Sequence, residues 1–499
     1  MNPAPTALVI GAGIGGLSAA ADLARAGWAV TVLERAQDVG GKMRRVPVAD
    51  TALDAGPTVL TMRWVFDRLF ERCGSRLDDA VTLRPQTVLA RHGWADGAQL
   101  DLFLDRARSE AAIEAFAGPE NAAGYRRFCE YARAIYQEVE GPFIRSGRPT
   151  ALTLLKLRGP KVFQSLKRID SWRSLWAAVQ HFFPDPRLQQ LFGRYATYTG
   201  SSPFEAPATL NLIAHVEQEG VWQVAGGIHG LARALQRLAE GHGATFRFGA
   251  QVAEVLQERG RATGVRLADG EVLTADAVVL NADRAALSAG LFGERPQRAV
   301  APQKARSLSA LTWCLVAPTA GFPLEHHNVF FSDDYPAEFS DLFGAGRLPR
   351  QPTIYVCAQD RGAGETPPAP GESERLFVLV NAPAVGDTGL APQEIEACEA
   401  TTFEWLTRCG LTVHRRPQAT VRTTPTDFEA LFPATGGALY GAPTHGWRAS
   451  LSRPGARTKL PGLYLAGGGV HPGAGVPMVS LSGQLAAQAA IADRASWRP

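Results

Sequence analysis

Two periods of hydrophobic spacing alternate along this chain, and each switch between them marks an element. Ala7 to Ile10 is a short, fully apolar run, the mark of a strand buried on both faces. It enters Gly11-Ala12-Gly13-Ile14-Gly15-Gly16. An Ala/Leu-rich stretch at helical spacing follows to Ala26, with Gly27 as its stop. Ala29 to Leu33 is apolar again and ends on Glu34. Strand, glycine turn, helix and strand in this order make a βαβ unit.

Further on, the pattern predicts extended pieces over Arg44–Val48 and Thr51–Thr58, with a turn at Asp54-Ala55-Gly56-Pro57-Thr58. A helix is expected over Arg63–Cys73. Strands are expected over Val81–Leu89 and Gln99–Leu104, the second after an Asp96-Gly97 turn. Asp105–Arg133 reads as mostly helical. So does Ala151–Tyr198, broken at Gly159-Pro160 and Pro184-Asp185-Pro186. Val221–Val224 is a strand, then a glycine-rich turn, then a helix over Leu231–Ala239. Five strands follow, with Asp269-Gly270 as a hairpin turn between two of them. The last, Ala277–Leu280, is wholly apolar and suits a return to the first sheet. Leu311–Val316, Thr353–Ala358 and Leu376–Asn381 are strand candidates, and Pro392–Cys409 is a helix closed by Gly410. At the far end, in Pro461-Gly462-Leu463-Tyr464-Leu465-Ala466-Gly467-Gly468-Gly469, a strand again runs into a glycine-rich loop, and an Ala-rich helix spans about Ser480–Ala490. The fold class is therefore α/β with α+β additions.

Composition narrows the setting. The chain has 499 residues, of which 45% are hydrophobic and 20% charged, so it is globular and long enough for two or three domains. A formal charge of +3 is too small to imply nucleic-acid binding. Six cysteines without a Cys-x-x-Cys pair argue against a zinc site or disulfide framework, so no metal is expected, and they fit a reducing cytoplasm. The N-terminal residues do not read as a signal peptide, and no apolar stretch is long enough for a transmembrane helix. Local charge is less even. Ten Lys/Arg against two acids lie between Arg145 and Arg194, interleaved with Leu, Phe and Trp. Over 151–183 this is the pattern of a helix lying in a membrane interface, or else of a solvated basic face over an ordinary core.

The chemistry starts at the βαβ unit. Gly11 permits the tight turn, Gly13 lets the backbone approach a pyrophosphate, and Gly16 lets helix and strand pack closely. The helix N-terminus offers N–H groups to phosphates, and Glu34 can accept from a ribose diol. Gly40-Gly41-Lys42 favours FAD over NAD. Gly467 to Met478 places a second glycine loop and helix N-terminus where they close over the flavin, so the nucleotide-binding fold is discontinuous. No second Gly-x-Gly-x-x-Gly follows a strand, so no NAD(P)H site is expected.

Over nearly its whole length the chain resembles the bacterial carotenoid desaturases, a branch of the amine-oxidase-like flavoproteins. The resemblance is carried by Val9 to Leu17, by Glu34 with Gly40-Gly41-Lys42, and by Asp54-Ala55-Gly56-Pro57-Thr58-Val59. It is carried more specifically by Gly200-Ser201-Ser202-Pro203-Phe204-Glu205-Ala206-Pro207-Ala208, Gly220-Val221-Trp222 and His471-Pro472-Gly473-Ala474-Gly475-Val476-Pro477. Arg194-Tyr195-Ala196-Thr197-Tyr198-Thr199-Gly200 is similar to the branch acting on 1-hydroxy or 1-methoxy carotenoids.

The resemblance implies FAD held by Gly11, Ala12, Gly13, Ile14, Gly15, Gly16, Glu34, Arg35, Gly40, Gly41, Lys42, Pro57, Thr58, Val59, Val252, Gly468, Gly475, Val476 and Met478. It implies a discontinuous Rossmann-type FAD domain over 1–75, 225–290 and 455–499, and a mixed-sheet substrate domain over 76–140 and 291–454. Residues 141–224 would form a helical, basic, membrane-associating lid. Introduction of a C3–C4 double bond into a hydroxyneurosporene-type substrate follows, as in spheroidene and spirilloxanthin biosynthesis.

Two departures stand out: Gly468-Gly469 replaces an Asp common in flavoproteins, and Met478 stands where phytoene desaturases usually carry Gly. His471 is the candidate proton acceptor, or a loop hydrogen-bonder; His215, Glu217 and His229 are weaker candidates. Tyr195, Tyr198 and Phe204 are expected to line a polyene tunnel, or to be core. The expected partners are a membrane-dissolved acyclic carotenoid, a membrane surface at 151–183, and a quinone or oxygen as electron acceptor. The expected location is cytoplasmic, peripheral on the inner photosynthetic membrane. Phytoene desaturation, carotene isomerisation and a non-catalytic isoprenoid-binding escort are the alternatives; an amine oxidase lacks an identifiable aromatic pair and amine pocket.

Overall fold

A computed structural model describes residues 4–147, 168–447, 449 and 453–494. β1 (Thr6–Ile10), α1 (Ile14–Arg25) and β2 (Ala29–Glu34) form the expected βαβ unit. It seeds a five-stranded parallel sheet in the order Leu463–Leu465, Ala277–Leu280, β1, β2, Thr245–Phe248. Both faces are covered, which explains the unbroken apolar runs. Val9, Val32 and Val279 are in register and pack with α1 and the helices His229–Gly241 and Val476–Arg494. Leu8, Ile10, Leu33, Val278 and Leu280 turn the other way, onto a three-stranded antiparallel sheet over Val252–Glu258, Arg261–Leu267 and Val272–Thr274.

The middle of the chain builds an eight-stranded mixed sheet. Its order is Leu411–Val413, Ser309–Gly321, Ser373–Ala382, Ile354–Ala358, His327–Phe330, Val88–Gly93, Gln99–Phe103, with Thr420–Thr423 paired to Ser309–Gly321 off this path. Leu311, Trp313, Leu315 and Ala317 pack under the helix Pro392–Arg408. Cys314 faces the hairpin Arg45–Val48/Thr51–Asp54 instead. Val329 and Phe331 pack against a helical layer that includes Pro119–Val139, Leu175–Phe182 and Pro186–Gly193.

Several elements differ from the sequence expectation. The single strand over Val81–Leu89 is two strands in different sheets: Leu83–Pro85 pairs with Trp222–Val224, while Val88–Gly93 joins the large sheet. Pro85 has no N–H to continue the ladder. Asp105–Arg133 is two helices parted by Gly118 at φ 85, and the second runs on to Val139. The last helix begins at Val476, not Ser480. Pro477 is tolerated because a first-turn N–H has no intrahelical partner anyway.

The helix Tyr335–Phe339 buries a carboxyl group beside the large sheet. Glu338 is 1% exposed and accepts from Thr353 N at 3.1 Å and Asn381 Nδ2 at 3.2 Å. Burial outweighs these donors and pushes it up to about 7. The unfolded carboxyl titrates lower, so the protonated form favours folding. That stability is complete below the unfolded value and is lost as pH rises through 7. Glu338→Gln is therefore expected to stabilise the protein at pH 8, by on the order of 2 kcal/mol, and to change little at pH 5. Melting temperatures of both proteins at the two pH values check this; an equal shift at both would refute it.

Candidate active site

Three loops meet at the carboxyl ends of the parallel strands, where open α/β sheets bind ligands. They are Gly11–Gly16 after β1, Asn281–Arg284 after Ala277–Leu280, and Gly467–Met478 after Leu463–Leu465. Asn281 joins all three. A Cβ on Gly13 would lie 2.8 Å from its Nδ2 and one on Gly15 2.4 Å from its Oδ1, while Gly467 lies against the same side chain. The small size of Gly13 and Gly15 is thus required by a side chain as well as by any phosphate. Gly40 N donates to Ala12 O at 2.9 Å, and Gly41, at φ 59, sits against Gly13 Cα.

The residues present fit a dinucleotide. α1 starts at Gly13 with no side-chain cap, which leaves its first N–H groups for a ligand. A Cβ on Gly467, Gly468, Gly469 or Gly475 would meet nothing nearer than 3.5 Å, an ordinary contact distance, so the chain itself does not demand glycine there by steric clash. Glu34 is buried; its Oε2 accepts from Ala12 N at 2.7 Å and its Oε1 from Ala36 N at 2.8 Å. Its remaining lone pairs suit ribose hydroxyls. Glu34→Gln turns an NH2 toward one of these two backbone donors. FAD affinity is expected to fall by about 100-fold, and titration of stripped protein with FAD reads it directly.

Lys42 Nζ donates to Leu439 O at 2.7 Å and lies over the Phe432 ring at 5.1 Å. Loss of water lowers its pKa, against the pull of Asp283. Arg35 spans instead to the carbonyls of Ala430 and Leu431. Val252 is buried in the small sheet, two residues after Ala250, whose N–H donates to the Glu34 carbonyl at 2.9 Å. Val476 and Met478 open the last helix beside the first core, and Gly475 has φ 108.

No sequence signal pointed to Arg453. Its guanidinium is buried and donates to the carbonyls of Gly468, Tyr440 and Ala442, so it holds the Gly467–Gly469 loop. Burial pulls it down to about 10. Asn281 had a signal, since it ends an apolar strand returning to the first sheet.

The candidate catalytic and substrate residues separate. His471 is 4% exposed, and its Nε2 meets the Ser146 carbonyl at 3.0 Å, which places a proton on that nitrogen. This ties the loop to the end of the helical layer and does not present Nε2 as a base. His229 Nδ1 bonds the Met43 carbonyl at 2.9 Å. His215 stands 3.6 Å from Glu219, and burial lowers its pKa.

Tyr195 and Tyr198 converge: both hydroxyls donate to Glu217, each at 2.7 Å, with the rings edge-to-face. Their surface is thus polar at one end rather than a plain apolar wall. Phe204 shares their apolar cluster and packs on Trp176 and Phe339. Val59 and Tyr355 border the same cluster, and Thr58 Oγ1 lies 2.7 Å from Tyr355 OH, which in turn meets His327 Nδ1 at 2.7 Å. His326, His327 and Cys357 bring possible ligand atoms within 4.8 Å of one another, but both Nδ1 atoms are already hydrogen-bonded.

Comparison with known proteins agrees with this architecture. Residues 14–491 match the family model of flavin containing amine oxidoreductases, and the chain belongs to that family. It is an FAD-dependent oxidoreductase. It is 50% identical to the hydroxyneurosporene desaturase of Rubrivivax gelatinosus over 97% of this chain and 93% of that one. It is 48% identical to the hydroxyneurosporene desaturase of Cereibacter sphaeroides, over 99% and 98%. Among solved structures, putrescine oxidase bound to putrescine superposes with a TM-score of 0.60 at 14% identity, covering 99% of both chains; that likeness concerns the fold.

Proposed function

We propose that this protein is a carotenoid desaturase that introduces the C3–C4 double bond into 1-hydroxy or 1-methoxy acyclic carotenoids such as hydroxyneurosporene. The observation that carries the reading is near-half identity, end to end, with two hydroxyneurosporene desaturases. When bound, FAD supplies a two-electron acceptor for the hydride. The chain's own work is to hold that acceptor between Gly11–Gly41 and Gly467–Met478 and to keep water from the reacting carbons. The aromatic cluster around Tyr195, Tyr198, Phe204 and Val59 provides the dry wall. A developing positive charge is delocalised over the polyene itself, so a strong base is not required.

The substrate lives in bilayers, and a peripheral membrane contact suits it. Trp172 is 67% exposed and packs at a tilt against the exposed Trp447 with centroids 4.8 Å apart, a fit for an interfacial anchor. Much of the basic segment, residues 151–167, lies outside the described residues. Among the described residues no helix is long and apolar enough to cross a membrane. A membrane quinone or oxygen takes the electrons onward in this reading.

The test is FAD-loaded enzyme on liposomes containing hydroxyneurosporene, neurosporene or phytoene, with products resolved by chromatography. The expected result is a 3,4-desaturated product from hydroxyneurosporene. Product from phytoene alone would overturn the reading, and tight carotenoid binding without turnover would point to an escort.

A further inference from the structure

A buried guanidinium lies among the aromatic side chains around Tyr195 and Tyr198. Arg194 is 9% exposed, and its guanidinium carbon lies over the Tyr198 ring, 5.1 Å from the centroid. Its Nε is buried without a hydrogen-bond partner, while the rest of the guanidinium interacts with the Tyr198 hydroxyl. Glu217 supplies a counter-charge to the guanidinium, but its two oxygens accept from the Tyr195 and Tyr198 hydroxyls and neither meets Nε.

Two more polar groups around this charge are unmet. The Tyr335 hydroxyl and His92 Nε2 are buried without partners. His92 Nδ1 meets the Leu100 carbonyl at 3.0 Å and so carries the proton, which leaves Nε2 as an acceptor. Burial, with help from the Arg194 charge, pushes His92 down to about 3. Leaving three buried polar atoms, Arg194 Nε, Tyr335 OH and His92 Nε2, without partners is costly, so such a cluster calls for an oxygen-bearing occupant.

We propose that Arg194 binds the C1 oxygen of the carotenoid and thereby selects the oxygenated end of the substrate. This rests on the functional reading above. Only C1 and C2 separate that oxygen from the reacting C3–C4 pair, so its holder must stand close to the flavin. Arg194 meets this condition. It lies over Tyr198, and its charge acts on His327, whose Nδ1 is 2.7 Å from the Tyr355 hydroxyl, itself 2.7 Å from Thr58 in the segment expected at the flavin. A guanidinium donates and never accepts, so it suits a hydroxyl and a methoxy oxygen alike. Glu217 acts as a positioning residue, since it fixes the ring on which the guanidinium lies.

The experiment is a competition on liposomes: FAD-loaded enzyme with equimolar hydroxyneurosporene and neurosporene, where the product ratio reads the ratio of kcat/KM values. The wild-type protein should prefer the hydroxylated carotenoid by about 100-fold or more, as sites with buried polar groups discriminate. Arg194→Met should lower that ratio at least about tenfold, through loss on the hydroxylated substrate alone. Arg194→Lys should restore part of it. Bound flavin reports folding of each variant; if the Met variant lacks flavin, the Lys variant carries the comparison, with a smaller fall in the ratio expected. Equal losses on both substrates, or an unchanged ratio, would overturn the proposal. Wild-type enzyme that leaves hydroxyneurosporene untouched would instead overturn the functional reading.

Discussion

Gly16→Ala protein is expected to purify with almost no flavin. A Cβ at this position would lie 2.0 Å from the Gly11 carbonyl oxygen and 3.3 Å from Asn281 Cβ. Neither neighbour can withdraw. Gly11 is held by its N–H to the Leu33 carbonyl at 2.8 Å, and Asn281 by its own N–H to the Ile10 carbonyl at 2.8 Å. The helix must therefore move outward, and the N–H groups at its start leave the phosphate position. Overpacking of this kind costs about 1–3 kcal/mol and sometimes more. A displacement worth about 3 kcal/mol in binding lowers FAD affinity by about 100-fold. Gly27→Ala is the control: a Cβ there meets nothing within 4 Å, so only the strain of φ 81 is added and flavin is retained. The absorbance ratio of flavin to protein in the two purified variants decides, and a fully loaded Gly16→Ala protein would refute the steric account.

Arg453→Met is expected to strip the other jaw of the clamp. It leaves the carbonyls of Gly468, Tyr440 and Ala442 without their shared donor in a buried site. Orphaned buried acceptors cost about 1–3 kcal/mol each before relaxation. The Gly467–Gly469 loop and the start of the last helix lose their anchor together, so both thermal stability and flavin content should fall. Arg453→Lys, with one ammonium for three acceptors, should recover part of each. A Met variant with unchanged flavin content and melting temperature would show that the loop is held by its backbone alone.

The two jaws differ in how much of them could be read from the chain. The first is a run of neighbouring residues: an apolar strand, glycines at fixed spacing, a helix, a strand and Glu34. Each piece is decided by sterics within a few residues. The second was visible as a strand entering glycines, yet Arg453, which holds it, belongs to no local pattern. Val81–Leu89 failed for a related reason. Alternating apolar residues specify a strand, but they do not say which sheet receives it, and Pro85 divides the run between two. Tyr195 and Tyr198 were legible as an aromatic pair. That their hydroxyls share Glu217 depends on a helix packing beside them. His471 was legible as a proton acceptor or a loop hydrogen-bonder, but its tie to Ser146 is a contact across 325 positions.

By itself, then, the sequence determined the nucleotide-binding unit, its closure by the opposite end of the chain, and the preference for a flavin. These rest on short-range geometry: where glycine is needed, where apolar residues repeat, where an acid ends a strand. The tertiary structure alone decided that Asn281 joins three glycine loops, that Arg453 locks one of them, and that Arg194 keeps a partnerless Nε among aromatic rings. Those outcomes turn on which distant segments approach and which polar groups lose water when they do, and no local spacing encodes that.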